Sequence, residues 1–189
     1  MLKFSSGTIG AFGAGMILLS TAAMAQPPGG APAPFTLQSS SFTDGGVIPD
    51  KYTQASPSPV SPELHWTNAP AGTQSFTLIM HDPDTAPRRG SADILHWMAF
   101  NIPGTTTSLP EGQPTTPTLA DGTVQPNNFG GHPGFMGPGA RGVYHHYTFE
   151  LYALDTKLSL GPDATRAQVL AAMDGHVIGK AADEGRFHR

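Results

Sequence analysis

Residues 145–154 read HHYTFELYAL and alternate along their whole length. His145, Tyr147, Phe149, Leu151 and Ala153 fall on one face of an extended segment, and His146, Thr148, Glu150 and Tyr152 on the other. Successive side chains of a strand point to opposite sides, so this period predicts a half-buried strand whose second face is the wetter one. Residues 75–82 (SFTLIMHD) repeat the pattern, with Phe76, Leu78, Met80 and Asp82 on one face and Ser75, Thr77, Ile79 and His81 on the other. Residues 94–102 (ILHWMAFNI) are apolar on both faces, as expected of a central strand. Shorter strands are predicted over 35–38 and 63–66, with turn signals at 43–46 and 68–72.

One helix is signalled by Thr165 and Gln168, which have capping-box spacing. Val169, Leu170, Met173 and Val177 then follow helical spacing, Gly175 ends or interrupts it, and a second short helix is expected over 176–182. Strands first and a helix pair last predict a mostly-β domain with helices packed at one end. Between Pro103 and Gly142 lies a stretch dense in Gly, Pro and Thr. Loops of that length are commonly functional or disordered. Within it, residues 129–142 (FGGHPGFMGPGARG) would let backbone amides approach a ligand closely.

The chain has 189 residues, no cysteine and a net charge of −4, with its basic residues scattered. Nucleic acid and anionic membranes are therefore poor partners. Zinc–thiolate sites and cysteine nucleophiles are excluded. Residues 1–25 have the layout of a cleavable secretory signal: Lys3, an apolar stretch from Ile9 to Ala23, and the small-x-small site Ala23-Met24-Ala25. The expectation is cleavage after Ala25 and an exported protein, periplasmic or secreted. Residues 26–34 have a linker's composition and are expected to be a mobile tail. Residues 35–189 are left as one domain, long enough for a sizeable core.

Among the polar groups, Asp82 stands at a strand's end on the inward face, within Asp82-Pro83-Asp84, where a buried carboxylate needs partners. The same segment also reads as an ordinary turn. His96 lies inside an apolar strand, and His145 at the mouth of one. Each reads equally as a core histidine or a ligand. His81 and His146 fall on the polar faces and are set aside, and His132 lies in the glycine-rich loop. If Asp82, His96 and His145 converge, the carboxylate would favour an imidazolium, and loop N–H groups would complete a small anion site.

The ordered elements Ser61-Pro62-Glu63-Leu64-His65-Trp66, Asp82-Pro83-Asp84-Thr85-Ala86-Pro87, His96-Trp97-Met98-Ala99-Phe100-Asn101-Ile102-Pro103, Gly137-Pro138 and His145-His146-Tyr147-Thr148-Phe149 resemble the phosphatidylethanolamine-binding protein family in its bacterial, Raf kinase inhibitor-like form. The resemblance runs from Phe35 to Arg189. It implies a central antiparallel sheet, a smaller flanking sheet, C-terminal helices and a small anion-binding pocket. It places Asp82, Asp84, His96, Gly137, Pro138, His145 and Tyr147 at that pocket, without a metal or cofactor, and suggests a homodimer. Three features depart from the family pattern: Gly139-Ala140-Arg141 in place of further prolines, His146 in place of arginine, and Phe135 in place of tyrosine.

The function expected is binding of a small anion, such as phosphate, phosphoethanolamine or a phospholipid headgroup. A second reading is an inhibitor or modulator of a protein partner, a protease or kinase, acting through the pocket rim. A third is a hydrolase using the Asp/His set, although no Gly-x-Ser-x-Gly or His-Glu-x-x-His motif is present. The protein is accordingly expected not to be an enzyme.

Overall fold

The computed structural model describes residues 33–189, so the signal segment and most of the tail lie outside the described residues. Eight strands form two sheets. They are β1 (Thr36–Gln38), β2 (Gly46–Val47), β3 (Leu64–Thr67), β4 (Ser75–Asp82), β5 (Ile94–Pro103), β6 (Ser108–Leu109), β7 (His145–Leu154) and β8 (Val177–Phe187). The larger sheet runs β2-β8-β7-β4-β5, and the smaller β1-β3-β6. All pairings are antiparallel except β2 with β8. One helix, α1 (Arg166–Met173), precedes the last strand.

The alternation in β4 and β7 sorts side chains between two cores. Phe76, Leu78 and Met80 of β4 pack with Tyr147, Phe149 and Leu151 of β7, and with Leu37, Leu64 and Trp66 of the smaller sheet. Each fully buried large apolar side chain contributes about 1.5–3 kcal/mol relative to exposure. Ile79, Met98 and Phe100 point the other way and pack under Leu158, Val169 and Met173, from α1 and the segment leading to it. The second face of β4 is therefore covered, and His81 lies there against Asp93, at 2.5 Å.

Two expectations are corrected. The second helix is the strand β8, paired with β7 from His145↔Phe187 to Leu154↔Val177. Gly175, at φ 82°, ends the helix region, and beyond it Ala181, Asp183, Gly185 and Phe187 alternate inward. Pairing along β7 overrides the helical propensity of Lys-Ala-Ala-Asp-Glu. Second, β5 is an edge strand. The long loop after it, which is ordered and contains β6, covers that edge through bonds from Val124 N to Phe100 O, Phe129 N to Leu95 O and Met136 N to His96 O, at 2.9 Å each. Covering the edge satisfies its free backbone groups, and the two cores on either side bury both faces of β5, Trp97, Ala99 and Ile102 in one and Met98 and Phe100 in the other. Trp97 Nε1 locks the arrangement by donating to Gln125 Oε1 at 2.7 Å, while Gln125 Nε2 donates to the carbonyls of Pro114 and Thr116.

α1 begins as its cap predicts: Thr165 Oγ1 accepts from Gln168 N, and Gln168 Oε1 accepts from Thr165 N.

Candidate functional site

Three strand ends meet under the covering loop and enclose a pocket of about 240 Å³. Asp82, His96, His145 and Tyr147 all line it. β4 ends at Asp82, and β7 begins at His145 and turns Tyr147 inward. His96 arrives by an irregularity. Met80 pairs with Trp97 and His81 with Leu95, so His96 is the extra residue of a bulge. A bulge re-aims a side chain, and it lets neighbouring His96 and Trp97 both face inward.

Asp82 is only 3% exposed, yet its carboxylate is fully engaged. Oδ1 accepts from Asp84 N at 2.9 Å. Oδ2 accepts from Thr85 Oγ1 at 3.1 Å and from His145 Nδ1 at 2.8 Å. Three donors offset the desolvation of the charge. The carboxylate also fixes His145 with its proton on Nδ1. Nε2 of His145 is left without a protein partner among the described residues.

Tyr147 carries the most informative geometry. Its Oη accepts from Gly139 N at 3.2 Å and from Ala140 N at 3.0 Å. A phenol has two lone pairs and one hydrogen. Both lone pairs are filled, and no described group accepts the hydrogen. The loop amides expected to meet a ligand directly are engaged instead with this hydroxyl, which becomes the donor on the pocket side. Burial foremost raises the Tyr147 phenol above its ordinary range, so it keeps that hydrogen at neutral pH.

His96 is 3% exposed, and burial lowers its imidazole pKa, outweighing the Met136 carbonyl. It is therefore neutral, unlike the imidazolium expected. Nδ1 donates to Met136 O at 2.8 Å, which leaves a lone pair on Nε2. The ring stands edge-on to Tyr147, with centroids 5.1 Å apart.

Asp84, Gly137 and Pro138 do not line the pocket; they hold its frame. Asp84 accepts from His146 N at 2.7 Å and His146 Nδ1 at 2.8 Å, pinning the β4–β5 turn to β7. The His146 N–H, first of all, lowers the Asp84 pKa. The carbonyls of Gly137 and Pro138 accept from Gln54 Nε2 and Gln54 N. A Cβ on Gly139 would come within 2.6 Å of the Gln54 side-chain amide, which would have to shift from its bond to the Gly137 carbonyl. His132 is exposed and away from the pocket.

Sequence reasoning missed Gln54, Thr85 and Ile94 of the lining, whereas Phe129, Met136, Gly139 and Ala140 belong to the 129–142 loop it singled out. Thr85 was within reach, as the first hydroxyl after the Asp82-Pro83-Asp84 turn. Gln54 carried no signal, because its place depends on the far loop docking against it.

The sequence profile described as phosphatidylethanolamine-binding protein matches residues 38–188. The chain belongs to this family. A Methanothermobacter thermautotrophicus protein, described as a UPF0098 protein, is 43% identical over 153 residues, covering 81% of this chain and 98% of its own length. The Aquifex aeolicus UPF0098 protein is 37% identical over 154 residues, covering 80% of this chain and 86% of its own. Among solved structures, a phosphatidylethanolamine-binding protein homologue from Chlamydia trachomatis superposes with a TM-score of 0.74 at 33% identity, covering 82% of this chain and 98% of its own. Escherichia coli YbcL, described as a member of the mammalian family, gives 0.72 at 30%, covering 83% and 99%. Within this phosphatidylethanolamine-binding protein fold, the departures noted in the sequence leave the four inward groups untouched. Phe135 packs edge-on against Trp97 at 5.8 Å, Arg141 is exposed, and His146 pairs with Asp84 outside the pocket.

Proposed function

We propose that the pocket binds a small anionic group, phosphate or the phosphate of a headgroup such as phosphoethanolamine. The observation that carries this is the Tyr147 hydroxyl, whose lone pairs are filled by two loop amides so that its hydrogen is offered to a ligand. His145, oriented by Asp82, adds a second group through Nε2, and that nitrogen donates once protonated. Neutral His96 offers an acceptor for a protonated phosphate oxygen. At about 240 Å³ the pocket suits a headgroup-sized ligand and no larger. The site works by binding, and no nucleophile with an adjacent base is part of the reading.

The test is calorimetric titration with inorganic phosphate and phosphoethanolamine. Saturable binding is expected, weakened at least tenfold by Asp82→Ala and by His96→Ala in variants that keep the wild-type circular dichroism. Absence of binding by the folded wild type overturns the reading.

A second reading, a protein partner gripped at the rim, is supported by exposed Phe129 at the pocket and by Val143 and Tyr144 just before β7. Co-purification of a stoichiometric protein that is lost with Tyr144→Ser, while phosphate binding persists, would favour it. We also propose export with removal of residues 1–25, on the sequence layout of that segment. Amino-terminal sequencing of the protein from the extracytoplasmic fraction should begin at Gln26; retention of Met1 there contradicts it.

A further inference from the structure

A second cavity, of about 440 Å³, opens between β1 and β8 and shares no lining residue with the first. Its base is Asp183, on the inward face of β8 opposite Phe149 of β7 and only 3% exposed. Asp44, exposed, stands at its mouth. Two carboxylate oxygens converge on one donor: Asp183 Oδ1 and Asp44 Oδ1 each lie 3.1 Å from Glu184 N. Asp183 Oδ2 is buried without any hydrogen-bond partner.

Nothing among the described residues supplies the missing positive charge. No lysine or arginine pairs with either aspartate. On β8 itself Lys180 is engaged with Glu150, and Arg186 Nε donates to Gly45 O. The nearest titratable ring, His65 of β3, is held by Glu63 at 3.1 Å. The walls are mixed: Phe35, Leu37, Phe42 and Ala181 give an apolar side, and Thr36, Gln38, Ser39 and Thr43 line the rest. A buried, half-satisfied carboxylate beside an aromatic wall suits a cation that carries an apolar body.

We propose that this groove is a binding site for a primary alkylammonium group, with the ammonium between Asp183 and Asp44 and the alkyl chain against Phe35 and Phe42. A divalent metal fits less well. No group of three or more His, Cys, Asp or Glu suited to a metal occurs among the described residues, and a bare ion leaves the aromatic walls without a partner. Burial, then the neighbouring Asp44, raises the Asp183 pKa to about 6, so Asp183 is charged above that pH and neutral below it. Asp44, Glu184 and His65 with its partner Glu63 are the other titratable groups around it.

The experiment is titration of the purified protein with n-butylammonium chloride at pH 8 and pH 5, followed by calorimetry, with calcium chloride as comparator. Saturable binding is expected at pH 8, at least tenfold weaker at pH 5 and in Asp183→Asn, with phosphate binding unchanged in that variant. Asp44→Asn, at an exposed position that leaves folding intact, should weaken butylammonium at least threefold. No saturable binding by the folded protein at pH 8, equal binding by both variants, or tighter binding of calcium than of butylammonium overturns the proposal.

Discussion

Asp82 and Asp183 are the two carboxylates on the inward face of the larger sheet, each 3% exposed, and they are satisfied in opposite ways. Asp82 accepts three hydrogen bonds and directs an imidazole. Asp183 shares one N–H with Asp44 and keeps an oxygen with no partner. The difference lies in where each sits along its strand. Asp82 ends β4, so the following turn curls back and delivers Asp84 N and Thr85 Oγ1 to it. Asp183 lies inside β8, paired with Phe149 of β7, and the turn on its other side brings a second carboxylate, Asp44, rather than a donor. A buried carboxylate at a strand end becomes a positioning group; one in mid-strand stays short of partners until something enters the groove.

The largest effect expected from breaking this contrast is at Asp82. Asp82→Ala removes the acceptor for three donors and should lower stability by roughly 3 kcal/mol, with loss of phosphate binding of at least tenfold. Chemical denaturation and calorimetry measure the two losses. Asp183→Asn should act in the opposite direction. The folded state raises the Asp183 pKa to about 6 from 3.8, so it holds that proton more tightly than the unfolded chain does. The stability this contributes is present below about pH 4 and lost as pH rises through about 6. Relative to wild type, Asp183→Asn is therefore expected to be more stable at pH 8, by about 2–3 kcal/mol, and nearly equal at pH 4. Melting curves at the two pH values check the sign, and saturating butylammonium at pH 8 should narrow the gap by stabilising the wild type alone.

Smaller effects follow around Asp82. Thr85→Val removes one of its donors and should cost about 1 kcal/mol, with phosphate affinity reduced a few-fold. His146→Ala removes only the exposed side-chain half of the Asp84 contact, whose backbone half remains. Its effect on stability should stay within about 0.5 kcal/mol, and phosphate affinity should change less than twofold. A large effect from His146→Ala would mean that the Asp84 turn shapes the pocket more than the hydrogen bonds of Asp82 indicate.

The same contrast explains what the sequence made legible. The alternation of β4 and β7 by itself puts Asp82, His145 and Tyr147 on the inward face, and Thr165 with Gln168 mark the start of α1. Those signals are local. Residues 176–182, the first half of β8, read as a helix because the inward positions of this strand include the small residues Ala181 and Gly185, which show little hydrophobic alternation. Its pairing with β7 is a long-range fact. So is the edge position of β5, whose outer face is buried under Leu158, Val169 and Met173 while the loop covers its edge. His96 was visible as a candidate, but the bulge that turns it inward was not. The Asp183 groove was invisible for the same reason: it exists only where the smaller sheet comes over β8.

The central claim is that Tyr147 and His145 hold an anion. The direct test is a crystal structure of the protein soaked with phosphoethanolamine. A phosphate oxygen within about 2.8 Å of Tyr147 Oη, with a second near His145 Nε2, is the result predicted. Phosphate bound elsewhere on the protein, or a pocket holding only water at saturating ligand, would contradict it.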